Sequence, residues 1–207
     1  MAYRVLIVDD QKMQRIALET SLSENPDYQI VDSIGNAEIA VSFARSKELD
    51  LIIMDIVMTA GLNGIEAAAT IKREHPHIKI ILVTSMPEVS YIEKAREAGA
   101  EGMWYKEYEA LPLMKVIEKV LAGEIVYPEE TPVLSIGNAS SDEFTPRELD
   151  VLRKVVYGYT DQEIADMLNM SRWTVRTHVK SLMQKTGFKN RVELAVNVRS
   201  SGLVIDE

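Results

Sequence analysis

Asp9, Asp10, Asp55, Thr84 and Lys106 are the residues whose types could do chemistry together. Each stands at or just past the end of an apolar, strand-like run. Asp9 and Asp10 follow Tyr3-Arg4-Val5-Leu6-Ile7-Val8, and Asp55 follows Leu51-Ile52-Ile53-Met54. Thr84 follows Ile80-Ile81-Leu82-Val83, and Lys106 follows Met103-Trp104-Tyr105. If these runs are parallel strands of one sheet, the five side chains converge at its C-terminal edge, where open α/β sheets bind ligands. Three carboxylates, a hydroxyl and an ammonium suit a divalent cation and a phosphoryl group. A carboxylate attacks phosphorus poorly until charge on the phosphoryl oxygens is neutralised. Mg²⁺, held by one or two carboxylates and keeping some of its waters, does this. Asp10, with Asp9 acting through water, would hold the ion beside Asp55, which would be both ligand and nucleophile. Lys106 would pair with one phosphoryl oxygen, and the Thr84 hydroxyl would donate to another. Taken singly, an Asp-Asp pair is more often a helix cap, and a lone Thr or Lys says little. All five in this order are hard to explain as a solvated sheet edge.

The elements that must position them follow from the hydrophobic pattern. Short apolar runs alternate with amphipathic segments over residues 1–122, the pattern of βα units. Strands are expected near 3–8, 28–34, 50–55, 79–84 and 101–105, with helices at 11–24, 36–46, 64–74, 88–98 and 109–122. The runs at 51–54 and 80–83 are almost wholly apolar, as for parallel strands covered on both faces. The fold class is therefore α/β, a doubly wound five-stranded parallel sheet. Residues 123–142 contain Pro128, Pro132, Gly137 and a small polar run without periodicity, and read as a linker. Residues 143–207 read as a small all-α domain. Thr145-Pro146-Arg147-Glu148 starts its first helix, with a capping Thr, Pro at the first helical position and Glu three residues after the cap. Leu149, Leu152 and Val156 would form its apolar stripe. Thr160 caps a second helix at 161–168, Ser171 a third to about 186, and a fourth runs from about 190 to 201.

Composition narrows the function classes. The 207 residues include no cysteine, so neither a disulfide framework nor a thiolate metal site is available. No apolar run approaches the roughly 20 residues that span a bilayer. The first residues enter a strand-like run without a basic n-region, so secretion is not expected and a cytoplasmic location is. The net charge of −9 is uneven: residues 1–141 hold 13 Lys+Arg against 22 Asp+Glu, and residues 142–207 hold 10 of each. From Ser171 to Val192 there are six basic residues and no acid. An acidic first part and a local basic patch imply different partners.

The basic patch falls on the third helix of the second part. Val175, Val179 and Leu182 share its inner face at i, i+4 and i+7. At about 100° per residue the outer face carries Trp173, Arg176, Thr177, Lys180 and Gln184. Two short helices joined by a tight turn, the second basic outside, fit a helix-turn-helix that binds double-stranded DNA. His178 lies on the flank, where packing is the expected role.

Two resemblances follow. Residues 1–122 resemble the receiver domain of two-component response regulators, a flavodoxin-like fold, through Val8-Asp9-Asp10, Met54-Asp55-Ile56-Val57-Met58, Val83-Thr84-Ser85 and the Gly99-to-Lys106 stretch. This implies phosphoryl transfer from a sensor histidine kinase to Asp55 with Mg²⁺, and a backbone carbonyl metal ligand at Val57. Residues 143–205 resemble the DNA-binding domain of the NarL/FixJ (LuxR-type) family through Phe144-to-Leu152, Gly158-to-Ala165 and Thr174-to-Lys180. By position, Arg176, Thr177 and Lys180 correspond to that family's base-reading residues. Arg suits a guanine edge and the Thr methyl suits a thymine methyl. Ser171, Arg172, Lys185 and Lys189 are expected to contact phosphates. Trp173 occupies a position usually small or charged; it would pack on the sugar–phosphate backbone or make an intersubunit contact. The family dimerises through its last helix, here about Arg191 to Ser200, so two copies would read paired half-sites.

The chain departs from the receiver pattern in three places. Thr59 replaces the usual Pro, and Gly64 lies nine residues past Asp55 rather than eight. Met103 stands where the switch aromatic is usual, with Trp104 and Tyr105 displaced along the strand. Glu107 replaces the Pro after the lysine, so no cis bond is expected there. Val57 and Met86 offer no polar group to position an attacking water, so slow loss of phosphate is expected. The reading is a non-enzymatic transcription regulator that dimerises and binds promoter DNA when Asp55 is phosphorylated. Its alternative is a phosphorylation-independent DNA-binding regulator using the receiver as a dimerisation module. A phosphatase built on Asp55 would need a second acid two residues on, and that position is Val57.

Overall fold

In the computed structural model, the five apolar runs form β1 (Tyr3–Val8), β2 (Tyr28–Ile34), β3 (Leu51–Asp55), β4 (Lys79–Thr84) and β5 (Gly102–Tyr105). The structure describes residues 2–58, 61–106, 111–201 and 203. All four strand pairings are parallel, in the order β2-β1-β3-β4-β5, the doubly wound order that reverses direction beside β1. Between the strands lie α1 (Lys12–Ser23), α2 (Ala37–Ser46), α3 (Gly64–Glu74) and α4 (Val89–Glu97); α5 (Leu113–Leu121) follows β5.

Alternation along each strand divides the apolar residues between two cores. Leu6, Val8, Ile52, Met54, Ile80 and Leu82 face alanines of α2, α3 and α4. Val5, Ile7, Leu51, Ile53, Ile81 and Val83 face Leu22 of α1 and Val116, Ile117 and Val120 of α5. Burying each such aliphatic side chain contributes roughly 1.5–3 kcal/mol, which is why these strands carry almost no polar residue before their last position. The register makes the ends coincide. Val8 pairs with Met54, Asp55 with Val83, and Thr84 with Tyr105. The polar residues that terminate the runs are therefore level at one edge.

The segment expected as a linker carries structure on both sides of a division between Thr131 and Pro132. Val126 runs parallel to Gly102 and exchanges backbone hydrogen bonds with Glu101 and Met103. The Tyr127 hydroxyl donates to the Ala100 carbonyl at 2.7 Å, under the Arg96 guanidinium. Beyond the division, β6 (Ser135–Ile136) and β7 (Ala139–Ser140) pair antiparallel, and a 3₁₀ turn follows at Ser141–Glu143. These pieces are too short to show periodicity, which is why the segment reads as unstructured in sequence.

The second unit then folds as α6 (Pro146–Val156), α7 (Asp161–Met167), α8 (Arg172–Thr186) and α9 (Arg191–Ser200). Thr145, Thr160, Ser171 and Asn190 each accept a backbone N–H at the start of their helix, satisfying donors that the first turn leaves open. The β6–β7 hairpin serves the other end of α8: the Asn138 N–H donates to the Thr186 carbonyl at 2.9 Å. A Cβ on Gly137 would lie 2.1 Å from that carbonyl oxygen, so only glycine fits there.

Candidate functional sites

At the sheet edge, the Lys106 ammonium lies between two carboxylates, 2.6 Å from Asp9 Oδ2 and 3.0 Å from Asp55 Oδ2. Asp9 is fully buried, and its other oxygen accepts the Gln11 N–H at 2.8 Å. It does not cap α1, whose N-cap is Gln11 without a side-chain bond; it turns the chain just ahead of that helix. Carboxylate oxygens of Asp9, Asp10 and Asp55 come within 4.8 Å of one another. Thr84, also buried, ends β4 one residue past the partner of Asp55, and its carbonyl accepts the Lys106 N–H. The Val57 N–H leans on Asp55 Oδ1 at 3.4 Å. The five edge residues and Val57 are thus brought together.

The electrostatics of this cluster are set by burial. Loss of water pushes the Asp55 carboxyl up to about 7; the Asp9 charge adds to this and the Lys106 charge opposes it. Burial alone would lower the Lys106 ammonium, but the facing Asp55 and Asp9 charges outweigh it and hold it above its ordinary value. A buried, acid-rich pocket with one lysine accommodates added positive charge better than added negative charge. Its donors are all hard oxygens, the set that suits Mg²⁺ rather than a softer metal.

One residue was noted in sequence only for its displaced spacing, and the structure gives it a place beside the site. Gly64 opens α3 directly against the end of β3: a Cβ there would lie 2.0 Å from the Asp55 carbonyl oxygen and 3.0 Å from Ile56 Cα. Its N–H donates to the Ile56 carbonyl at 2.9 Å. The extra residue between Asp55 and Gly64 is therefore absorbed by the intervening loop, of which Thr59 and Ala60 lie outside the described residues. Met103 and Tyr105 are buried in the core shared with α3 and α4, whereas Trp104 faces the α5 side and donates its indole N–H to the Leu111 carbonyl at 2.8 Å. The Lys106–Glu107 bond also falls outside the described residues.

In the second unit, Val175, Val179 and Leu182 of α8 are buried, as the period predicts. Trp173, Arg176, Thr177 and Lys180 are exposed on the opposite face. Arg176 lies 3.5 Å from Asp161 but keeps 69% of its side chain exposed, a pairing worth little against a stronger anion. Asp161 is held more closely by Arg191, at 2.5 Å. Ser171 caps α8, and Arg172 and Lys189 are exposed at either end of the face.

Lys185 does not belong with them. Its ammonium turns inward, 2.8 Å from Glu148 Oε2 and 2.7 Å from the Glu143 carbonyl, above the Phe144 ring. The expected phosphate contact is replaced by a tether between α8 and α6. Glu148 itself is buried, and the inner face of α6 is Glu148, Val151, Leu152, Val155 and Val156, with Leu149 only half-buried. The stripe is thus wider than Leu149, Leu152 and Val156 indicate, and it includes an acid whose partner lies 37 residues away.

A 2-1-3-4-5 parallel sheet with an acid cluster and a lysine at its C-terminal edge, followed by a helix-turn-helix with a basic outer face, defines a two-domain signalling protein with a DNA-binding output. Residues 5–118 match the response regulator receiver domain, and residues 142–198 match the bacterial regulatory proteins of the luxR family. The response regulator protein VraR of Staphylococcus epidermidis is 29% identical over 209 residues, covering 99% of this chain and 100% of that protein. VraR of Staphylococcus aureus matches to the same extent. A LuxR-family two-component response regulator from Aurantimonas sp. SI85-9A1 superposes with a TM-score of 0.57 at 28% identity, covering 64% of this chain and 91% of that one. RcsB from Salmonella enterica serovar Typhimurium, bound to promoter DNA in the presence of the phosphomimetic BeF₃⁻, gives 0.59 at 23% identity over 99% and 100% of the two chains, a likeness of fold. The chain belongs to the response regulators, with a receiver domain joined to a LuxR-type helix-turn-helix DNA-binding domain, and its function is regulation of transcription. Among the described residues no helix is long and apolar enough to cross a membrane.

Proposed function

We propose that phosphorylation of Asp55 by a sensor histidine kinase switches this regulator to a DNA-binding homodimer. The observation that carries this reading is the Lys106 ammonium bridging Asp9 and Asp55 at the C-terminal strand edge. An Asp55 oxygen attacks the phosphorus of a phosphohistidine; the new P–O bond forms as the P–N bond breaks, and the imidazole leaves with the electron pair and takes up a proton. Asp10, Asp55 and the Val57 carbonyl would hold Mg²⁺, with Asp9 reaching it through water; once bound, it supplies charge neutralisation at the phosphoryl oxygens. Lys106 turns from Asp55 to a phosphoryl oxygen, and the Thr84 hydroxyl donates to another. Asp55 accepts one phosphoryl group per chain and keeps it, so the chain acts as a phosphoprotein.

The receiver role is assigned to residues 1–122 and the DNA-binding role to 143–207, in a cytoplasmic protein. Arg176, Thr177 and Lys180 read bases from α8, and Ser171, Arg172 and Lys189 position the helix on phosphates. Val192 and Val196, one turn apart on α9 and 70% and 58% exposed, supply an apolar stripe for the dimer. Acetyl phosphate with Mg²⁺ tests the chemistry. One phosphoryl group per chain is expected in the wild type by intact mass, and none in Asp55→Ala. With apolar residues in sequence two past Asp55 (Val57) and two past Thr84 (Met86), the phosphoprotein should decay slowly; a lifetime of seconds would contradict this. Incorporation absent from the wild type, with DNA binding retained, would favour a receiver that serves only as a dimerisation module.

A further inference from the structure

The geometry points to Trp173 as a DNA contact, its indole covering thymine methyl groups in the major groove beside the bases read by Arg176 and Lys180. This rests on α8 being the recognition helix. Trp173 lies in the first turn of α8 and is 75% exposed. Residues 173, 176, 177 and 180 are spaced i, i+3, i+4 and i+7 and so share one face. The Thr177 hydroxyl donates back to the Trp173 carbonyl at 3.0 Å, which leaves its methyl as the group that face presents. An indole and a methyl thus form an apolar step on the face that carries the cations Arg176 and Lys180.

The charges around this step select its occupant. No acid occurs between Ser171 and Val192, so the surface suits a polyanion that also exposes apolar groups, and the thymine methyl is the apolar group of the major groove. A second copy of the chain fits poorly. An isologous contact through this face would set Arg176 and Lys180 against their own copies, a like-charge arrangement that suppresses pairing. The N-terminal part of a recognition helix is also the part that reaches base edges.

The test uses full-length protein and duplexes selected by it from a random library. Trp173→Ala should weaken binding about tenfold or more, as for a buried aromatic anchor. The slope of log affinity against log salt should stay at the wild-type value, because no phosphate contact is lost. Trp173→Phe should retain most of the affinity. Replacing thymine by deoxyuracil in the selected half-sites should weaken the wild type clearly more than Trp173→Ala, in which only the Thr177 methyl remains to meet the thymine methyl. Wild-type affinity for Trp173→Ala, indifference of the wild type to the thymine methyl, or weaker self-association of Trp173→Ala without DNA would each overturn the inference. Lys180→Ala separates the two levels. If it leaves the affinity unchanged, the recognition-helix reading itself fails; if it lowers the affinity while Trp173→Ala does nothing, only the role of Trp173 falls.

Discussion

Gly64→Ala is expected to destabilise the receiver by about 3 kcal/mol, with a loss of phosphorylation rate of about a hundredfold. In an open helix the substitution would stabilise, since Ala is favoured over Gly by roughly 0.8–1 kcal/mol. Here the added Cβ would stand 2.0 Å from the Asp55 carbonyl oxygen and 2.9 Å from its carbon. Those atoms are backbone in the fully buried β3, so no side chain can rotate aside. Overpacking of this kind costs typically 1–3 kcal/mol, occasionally more, and exceeds the propensity gain. The strain is relieved by moving either the end of β3 or the start of α3, and both shift the Asp55 carboxylate relative to Lys106. Displacement of a reacting group by about 1 Å costs on the order of a hundredfold. Thermal unfolding followed by Trp104 fluorescence in a Trp173→Phe background, which leaves the receiver tryptophan as the only one, together with acetyl phosphate kinetics, reads both effects. A variant as stable and as reactive as the wild type would show that α3 does not hold the acceptor in this way.

Glu148→Gln should cost the DNA-binding unit on the order of 3 kcal/mol near pH 6 and remove much of its acid sensitivity. Burial pushes this carboxyl up, but the Lys185 ammonium, the Thr145 N–H and hydroxyl and the Ser181 hydroxyl outweigh it and lower it to about 2. The folded value lies below the unfolded one of about 4.3. The carboxylate therefore contributes stability that is fully present above about pH 4.3 and is lost as pH falls toward 2. A shift of about two units corresponds to roughly 3 kcal/mol. Glu148→Gln should be less stable than the wild type at pH 6, and the difference should shrink toward pH 2. Lys185→Met, which leaves Glu148 buried without its cation, should destabilise comparably. It should leave the salt slope of DNA binding unchanged, since Lys185 is turned inward. Equal stability of Glu148→Gln and wild type at pH 6, with the same acid midpoint, would refute the tether.

These two residues mark where the sequence stops being readable. Most strands and helices were legible to within a residue or two, because the apolar runs of β3 and β4 end at polar side chains and several helices begin at a cap such as Asn36, Thr145 or Ser171. The helix expected at 109–122 is described only as Leu113–Leu121, with 109 and 110 outside the described residues. The edge cluster was legible for the same reason, since parallel strands in register must bring their last residues level. Glu148 carried a local explanation, the capping box, that hid its long-range one. Only the packing of α6 on α8 reveals that its carboxylate meets Lys185, so a basic residue that looked like a phosphate contact ties two helices together. Gly64 was displaced by one position from the expected spacing, and its close approach to Asp55 is a tertiary fact. The β6–β7 hairpin escaped because two-residue strands have no period; its glycine and asparagine are set by the carbonyls at the end of α8.

The central claim is that chemistry at Asp55 controls what α8 does. Its most direct test is the affinity of the full-length protein for a selected duplex, with and without beryllofluoride and Mg²⁺, and with Asp55→Ala as control. Beryllofluoride should raise the affinity of the wild type at least tenfold together with dimer formation, and should leave Asp55→Ala unchanged. Identical wild-type affinity and oligomeric state in both conditions would contradict the account and leave the receiver a module without a switch.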